Sequence, residues 1–214
     1  MGRPEGYIPA LGHDLLTPLY DPLLRWVMRE ARFKRRLLEQ AGVRSGHRVL
    51  DVGCGTGTLA VMVKQARPEA EVVGLDGDAN VLKIARAKAD RAGVNLLLHV
   101  GMAYEIPHRE GYFDRVLSSL MLHHLTAGDK KRTLSEAFRV LRGGGGLHVV
   151  DFGPPRTLYA RLAAFVSARA EQVADNVRGR LPGMFREAGF EDAEETGQLM
   201  TVAGALSFYR ARKP

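Results

Sequence analysis

Cysteine is almost missing from this chain: of its 214 residues, only Cys54 is one. An internal disulfide, a thiolate zinc cluster and a two-cysteine redox pair are thereby excluded. Long apolar runs are missing too. No stretch approaches the roughly eighteen consecutive apolar residues that a membrane-spanning helix needs. The opening MGRPEGYIPA has no apolar core of the kind a secretion signal carries, and Gly6 stands where an N-myristoylation signal wants Ser or Thr. A cytoplasmic location is the resulting expectation. Neither an internal repeat nor a low-complexity linker breaks the chain. With 45% apolar and 26% charged residues, 214 residues suit one ordinary folded domain with a proper core.

Charge is present in excess of one sign, and it is unevenly placed. The formal net charge is +7. Residues 1–48 hold nine Lys or Arg against five Asp or Glu, residues 156–180 hold five against two, and the remainder is balanced. All of the positive surplus therefore lies in two segments.

Hydrophobic patterning alternates between two periods. Residues 14–41 read as helix, with Leu24, Val27, Met28, Ala31 and Leu38 on one stripe and Arg25, Arg29, Arg32 and Arg36 on another. Short apolar runs follow at 48–52, 71–76, 95–100, 113–120 and 146–152, separated by helical patterns at 58–67, 79–92 and 129–142. Buried strands alternating with helices predict a doubly wound α/β fold around a parallel sheet. A last helix over 181–189 and a terminal hairpin close the chain.

In such a fold, ligands bind beyond the carboxyl ends of the strands, where strand order reverses. The stretch VLDVGCGTGTLA at 49–60 is the candidate: a strand, three glycines spaced two apart, then a helix start. Glycines allow positive φ and close approach of the backbone, and the helix N–H groups face whatever binds. Gly55, Gly57 and Ala60 loosely satisfy the dinucleotide pattern G-x-G-x-x-G/A, which alone is weak. Asp51 with Gly53, Gly55 and Gly57 gives the other pattern, D-x-G-x-G-x-G.

That second pattern resembles the first motif of class I S-adenosylmethionine-dependent methyltransferases, and four further stretches resemble the same family in order. VVGLD, ending at Asp76, is similar to its second strand, and YFDRVLSSLMLHHL to its fourth strand and following loop. EAFRVLRGGGGLHVVD resembles its helix, glycine turn and fifth strand, with Arg-Gly-Gly for the more usual Lys-Pro-Gly. FREAGFEDAEE and LSFYRARKP resemble its last helix and hairpin. The resemblance covers roughly 46–152 and 181–214. It implies a Rossmann-like seven-stranded sheet of order 3-2-1-4-5-7-6 with the last strand antiparallel. One domain is expected: a helical lid over 1–45, a cofactor-binding core over 46–152, a helical insertion over 153–180 on the substrate side, and a closing helix and hairpin over 181–214.

The resemblance also implies S-adenosyl-L-methionine as cofactor, S-adenosyl-L-homocysteine as product, and roles for individual residues. Backbone at Gly53, Gly55 and Gly57 would flank the cofactor's amino-acid end, with Asp51 orienting its ammonium. Asp76 would take the ribose hydroxyls and Gly77 would lie under the adenine, whose edge Met102 and Ala103 would meet. Ser119 and Leu120 would flank the sulfonium, and Tyr20, in TPLYDPLLRW, would fold over the cofactor. One position departs from the family: Met102 stands where an Asp usually accepts from the adenine amino group. Losing that bond costs about 1.5–3 kcal/mol, partly offset by thioether packing on the ring. Plainer roles stay open beside these: a helix-facing cap for Asp51, a helix N-cap for Asp76, strand-end packing for Ser119 and Leu120, and simple packing for Cys54.

Methyl transfer needs alignment, worth about 7–11 kcal/mol, and a base if a hydroxyl or carbon acid is to lose its proton. His123, His124 and Asp151 are the candidates, standing after the fourth strand and at the end of the fifth. His148, inside that strand, reads as packed. No His or carboxylate set completes a metal site, so none is expected. A single cysteine already spent in the loop argues against arsenite and cytosine-C5 methylation. The absence of an Asn/Asp-Pro-Pro-Tyr tetrad argues against amino methylation of bases. What is left resembles the small-molecule group that includes the ubiquinone and menaquinone biosynthesis methyltransferases. The two basic segments would cover the substrate side in this architecture, which suggests an anionic acceptor or peripheral contact with a membrane that carries it. A nucleic-acid acceptor stays open, since the same charges would serve phosphates, although no RNA-binding module or stacking platform is readable. A protein that binds the nucleoside without catalysing transfer, as a sensor or partner subunit, is the alternative from another class.

Overall fold

The structure is a computed structural model that describes residues 30–155, 171–201 and 204–214. Its centre is a seven-stranded sheet of order β3-β2-β1-β4-β5-β7-β6, as the resemblance implied. The strands are β1 (Arg48–Val52), β2 (Glu71–Asp76), β3 (Leu97–Val100), β4 (Phe113–Ser119), β5 (Leu141–Phe152), β6 (Glu191–Thr201) and β7 (Gly204–Arg212). β1 runs parallel to β2 and β4, and β4 to β5. β7 alone is reversed, antiparallel to both β5 and β6. The chain leaves β1 toward β2 and β3, then returns to the other side of β1 with β4. The carboxyl end of β1 is thus the crevice where an open α/β sheet takes its ligands.

The period-2 alternation of each strand feeds two cores. Leu50, Val52, Val73, Leu75, Val116, Leu147 and Val149 point to one face and pack on α4 (Ala127–Val140) and α6 (Leu181–Glu187). Val49, Val72, Leu117, Val150 and Phe208 point to the other, against α1 (Glu30–Ala41), α2 (Thr58–Ala66) and α3 (Ala79–Arg91). Strands buried on both faces must be apolar nearly throughout, which is why their sequence runs read as continuous. The same parity rule puts Asp51 on the α1–α3 face, with Val49. It puts Asp151 on the α4 face, with Val149.

Two details differ from the sequence reading. The buried stripe of α1 is Glu30, Phe33, Leu37 and Ala41, whereas Ala31 is exposed and Leu38 only half-buried. Arg36, read as part of a basic stripe, is instead half-buried. Its guanidinium stacks 4.2 Å above the Phe208 ring and donates to the carbonyl oxygens of Gln198 and Thr196. Second, α4 ends and β5 begins at Leu141, five residues early, because the Gly143–Gly146 run makes a bulge that breaks the register between Phe113↔Leu141 and Arg115↔Gly146. The expected positions Leu24, Arg25, Val27, Met28 and Arg29, and Tyr20, lie outside the described residues. So does most of the insertion, of which α5 (Glu171–Val177) is described.

Candidate functional site

The turn after β1 is anchored first through its backbone. Gly53 and Cys54 both donate their N–H to the Leu75 carbonyl at 2.8 and 3.0 Å, which pins the turn to the end of β2. Gly53, Gly55 and Gly57 have φ of +67°, +54° and +74°, values that a side chain makes costly. A Cβ on Gly53 would run into Met121, and one on Gly57 would meet Ala85 of α3. One on Gly55 would meet nothing within 4 Å. The α-carbon of Gly55 therefore borders open space beside the first turn of α2. Lys88 of α3 steadies the turn from behind, donating to the Thr56 and Thr58 hydroxyls at 2.8 and 2.7 Å. Cys54 is buried against Gly74, and burial pushes its thiol well above the usual range, so it is a packed residue.

Two carboxylates flank this turn. Asp51 is 1% exposed, and neither of its oxygens has a hydrogen-bond partner. Burial pushes its pKa up to about 7, against the pull of the Lys34 ammonium and of the Ala60 N–H, which faces it from the start of α2 without meeting hydrogen-bond geometry. Asp76, at the end of β2, accepts from the Gly55 N–H at 2.8 Å and the Asp78 N–H at 3.0 Å. Burial raises its pKa as well, and those N–H groups only partly offset the rise. The capping role open to Asp76 belongs instead to Asp78, whose side chain accepts from the Asn80 N–H at the start of α3.

Loops from β3 and β4 complete the rim. Met102 and Ala103 are half-buried just beyond β3 in a loop tied down by Gly101 N–H to Asp76 O, and by Arg139 to the carbonyls of Ile106 and His108. At the end of β4 the Ser119 hydroxyl is buried without a partner, and just beyond it Leu120 takes a left-handed φ of +55°. A non-glycine residue at such a φ is strained, and strain of this kind collects at functional sites. Met121, which sequence reasoning passed over, lays its side chain on Gly53. Nothing in a lone methionine after a strand marks such a contact beforehand.

The single helical turn Leu122–His124 follows, and here separate candidates come together. His123 Nδ1 lies 2.8 Å from Asp151 Oδ1, and Asp151 also accepts from the backbone N–H groups of His123 and Phe152. Asp151 is fully buried. Burial alone would raise its pKa, but the His123 charge and hydrogen bond, the Phe152 N–H and His124 more than reverse this and hold it below the carboxylate range. The His124 ring is 4.0 Å from that of His123, centroid to centroid, and keeps solvent exposure. The surrounding protein, then His123, lowers its pKa. His148 behaves as expected of a packed residue: buried, with Nδ1 facing the Gln40 amide at 3.4 Å. Two further charged groups back the turn. Lys130, fully buried in the first turn of α4, faces Asp175 of α5 at 3.7 Å.

Comparison with known proteins agrees with this geometry. Residues 49–145 match the family model described as a methyltransferase domain. The chain is 37% identical over 142 residues to a demethylmenaquinone methyltransferase of Thermus thermophilus, a match spanning 65% of this chain and 64% of that protein. It is 33% identical over 205 residues to the ubiquinone/menaquinone biosynthesis C-methyltransferase UbiE of Proteus mirabilis, covering 85% of this chain and 80% of that one. Among solved structures, a phosphoethanolamine N-methyltransferase of Haemonchus contortus in complex with S-adenosylhomocysteine superposes with a TM-score of 0.68 at 20% identity, over 86% of this chain and 52% of that one. With its sheet order and glycine turn, the chain belongs to the class I S-adenosylmethionine-dependent methyltransferases, beside the ubiquinone and menaquinone group, and S-adenosylmethionine is its cofactor.

Proposed function

We propose that this enzyme methylates a ring carbon of a small quinol, with the His123–Asp151 pair taking the acceptor's hydroxyl proton. The observation that carries this is the 2.8 Å contact between His123 Nδ1 and Asp151 Oδ1, on a turn whose Met121 rests on the glycine loop. The names of the relatives point to the quinone class. A quinone ring carbon is electron-poor, so the acceptor has to be the reduced, hydroxyl-bearing form.

The residues present fit the cofactor. Two orphaned, buried oxygens on Asp51 match its ammonium, and the open space beside Gly55 admits its amino-acid end. Asp76, which keeps lone pairs after accepting two N–H groups, would take the ribose hydroxyls, with Gly77 beneath the adenine. Met102 and Ala103 would edge the adenine, while Ser119 and Leu120 would flank the sulfonium. S-adenosylmethionine supplies a methyl group activated on positive sulfur, which leaves as a neutral thioether. Everything else falls to the protein. Asp151 accepts from His123 Nδ1–H and so fixes the tautomer that leaves the Nε2 lone pair available. His123 takes the hydroxyl proton, raising electron density on the ring carbon as it reacts, and ionised Asp151 stabilises the imidazolium; the methylated carbon then loses its own hydrogen to solvent as the ring regains aromaticity, and the imidazolium returns its proton to the oxygen. A base so placed contributes about 10²–10⁴-fold.

The basic surplus supports a finer proposal. Arg32 and Arg35 are exposed on α1, and Arg178 and Arg180 are exposed after α5. They would draw the enzyme to an anionic membrane holding a lipid-tailed quinol, with activity on such vesicles falling as salt rises.

The test is methyl transfer from labelled S-adenosylmethionine to dithionite-reduced 2-prenyl-1,4-naphthoquinone, with the product mapped by mass spectrometry. Ring-carbon methylation is expected. His123→Asn should lower kcat at least about 100-fold while S-adenosylhomocysteine still binds. Methylation on oxygen, or an undiminished kcat in His123→Asn, would overturn the assignment.

A further inference from the structure

One buried polar side chain takes no part in the candidate site. Asn176, on α5, is 0% exposed, and neither its amide oxygen nor its amide nitrogen has a hydrogen-bond partner. Burying an amide in this way is costly, because the hydrogen bonds it made to water are not replaced. Folded proteins pair nearly all such groups, so an exception calls for a reason. The buried hydroxyls of Ser118 and Thr133 are also unpartnered, but they line an internal gap whose walls are Val52, Val116, Leu134, Leu147 and Val149. Asn176 stands elsewhere.

Its helix packs on the Leu122–His124 turn and on β5, the two elements that supply His123 and Asp151. At seven residues, α5 is only about 10 Å long, and Asn176 stands in its last turn. The helix is also held in orientation. Asp175, the preceding residue, faces Lys130 at 3.7 Å and Arg180 at 3.1 Å. Asn176 cannot turn out to solvent without breaking those contacts.

We infer that Asn176 is a specificity residue for the methyl acceptor, its amide pairing with the ring oxygen that His123 does not serve. An amide offers a donor and an acceptor on one rigid plane, which suits an aryl hydroxyl that must both give and receive. The pairing selects acceptors with two ring oxygens over those with one. It rests on the quinol reading above.

The test uses the full chain and two probes, 2-prenyl-1,4-naphthalenediol kept reduced and 2-prenyl-1-naphthol, with binding measured in the presence of S-adenosylhomocysteine. The wild type should prefer the diol by about tenfold or more, because a site built around a hydroxyl rejects the analogue lacking it. In Asn176→Leu that preference should shrink to about threefold or less, through loss of the diol alone, with S-adenosylhomocysteine affinity unchanged. Asn176→Ala, which removes the amide without adding bulk, carries the same comparison should the leucine variant not fold, as judged by S-adenosylhomocysteine binding. A full preference retained in either variant overturns the inference while leaving the quinol reading intact. Failure of the wild type to bind or methylate the diol overturns the quinol reading and the inference with it.

Discussion

Asp51→Asn tests the cofactor site where its energetics are most unusual. With its oxygens buried and unpartnered, Asp51 titrates at about 7 in the fold against 3.8 ordinarily. Between those pH values, the ligand-free native state holds a proton that the unfolded chain has released. Stability therefore falls as pH rises through this window and levels off above about 7. At 1.36 kcal/mol per pH unit, the ionised carboxylate costs the ligand-free protein ~4 kcal/mol at pH 8, an upper figure since a charged interior relaxes. Asparagine has no proton to lose. The ligand-free variant should match the wild type near pH 4 and exceed it at pH 8, by as much as ~10 °C in Tm for a domain of this size.

With ligand the order should reverse. The ammonium of S-adenosylhomocysteine offsets the buried charge, so wild-type affinity should climb as pH rises toward 8. Removing one partner of a buried pair costs about 3–5 kcal/mol, so the variant should bind some hundredfold or more weakly. Calorimetric unfolding at pH 4.5, 6 and 8, with and without S-adenosylhomocysteine, reads both effects, and subtracting variant from wild type cancels every other titrating group. A ligand-free variant less stable than the wild type at pH 8 would refute the reasoning, since Asp51 would then have a stabilising partner already.

The glycine turn separates stability from binding. Gly53→Ala drives a Cβ into Met121 at positive φ and should destabilise the protein by at least about 1–2 kcal/mol; Gly55→Ala, facing open space, should lose less stability yet bind S-adenosylhomocysteine at least tenfold more weakly by calorimetry. Met102→Asp places an acceptor where the family usually has one, and should tighten S-adenosylhomocysteine binding by about tenfold, worth 1.4 kcal/mol; unchanged affinity would mean that the adenine amino group does not reach this loop. Burial, then the charges of Arg115 and Arg210, lowers the His148 pKa to about 3. Stability should accordingly fall as pH drops through 6.5, by about 2 kcal/mol at pH 5, and urea unfolding of His148→Gln should show a correspondingly smaller acid loss.

What was legible in the sequence was what the backbone does locally. Three glycines in five residues demand a turn with positive φ, and acids at the ends of two adjacent strands must lie near it. Topology extended this reach. Once β4 and β5 are parallel neighbours, with Ser119 beside Val150, His123 and Asp151 fall at the same end of the sheet. Their contact spans 28 residues of chain, so strand order was needed to see it. Lys130 carried a signal that went unread: it sits at the helical spacing of Thr133, Leu134, Ala137 and Val140, on the buried stripe of α4. Arg36 misled because a guanidinium on a planar aromatic face is half-buried without looking apolar. Asn176 had no local signature, since a seven-residue helix shows too little periodicity to say which side chain is enclosed.

Asp51 and Asp151 show how one sheet can make two opposite tools from the same residue type. Both stand at carboxyl ends of parallel strands, and both are essentially inaccessible to water. They differ in the face they point to. Asp51 looks toward the first turn of α2, where no donor completes its shell, and on the proposed reading its charge is matched by the cofactor's ammonium. Asp151 looks toward the α4 side, where His123 and two backbone N–H groups complete its shell, and it stays ionised without help. An unpaired buried carboxylate is useful only to a ligand that carries positive charge, whereas a paired one is useful only through the group it holds. Exchanging the two environments would ruin both uses: a satisfied Asp51 would have nothing to offer an ammonium, and an orphaned Asp151 would take up a proton and stop supporting an imidazolium. On the proposed reading, the division between binding and proton transfer is thus already made by strand parity, before any side chain meets a ligand.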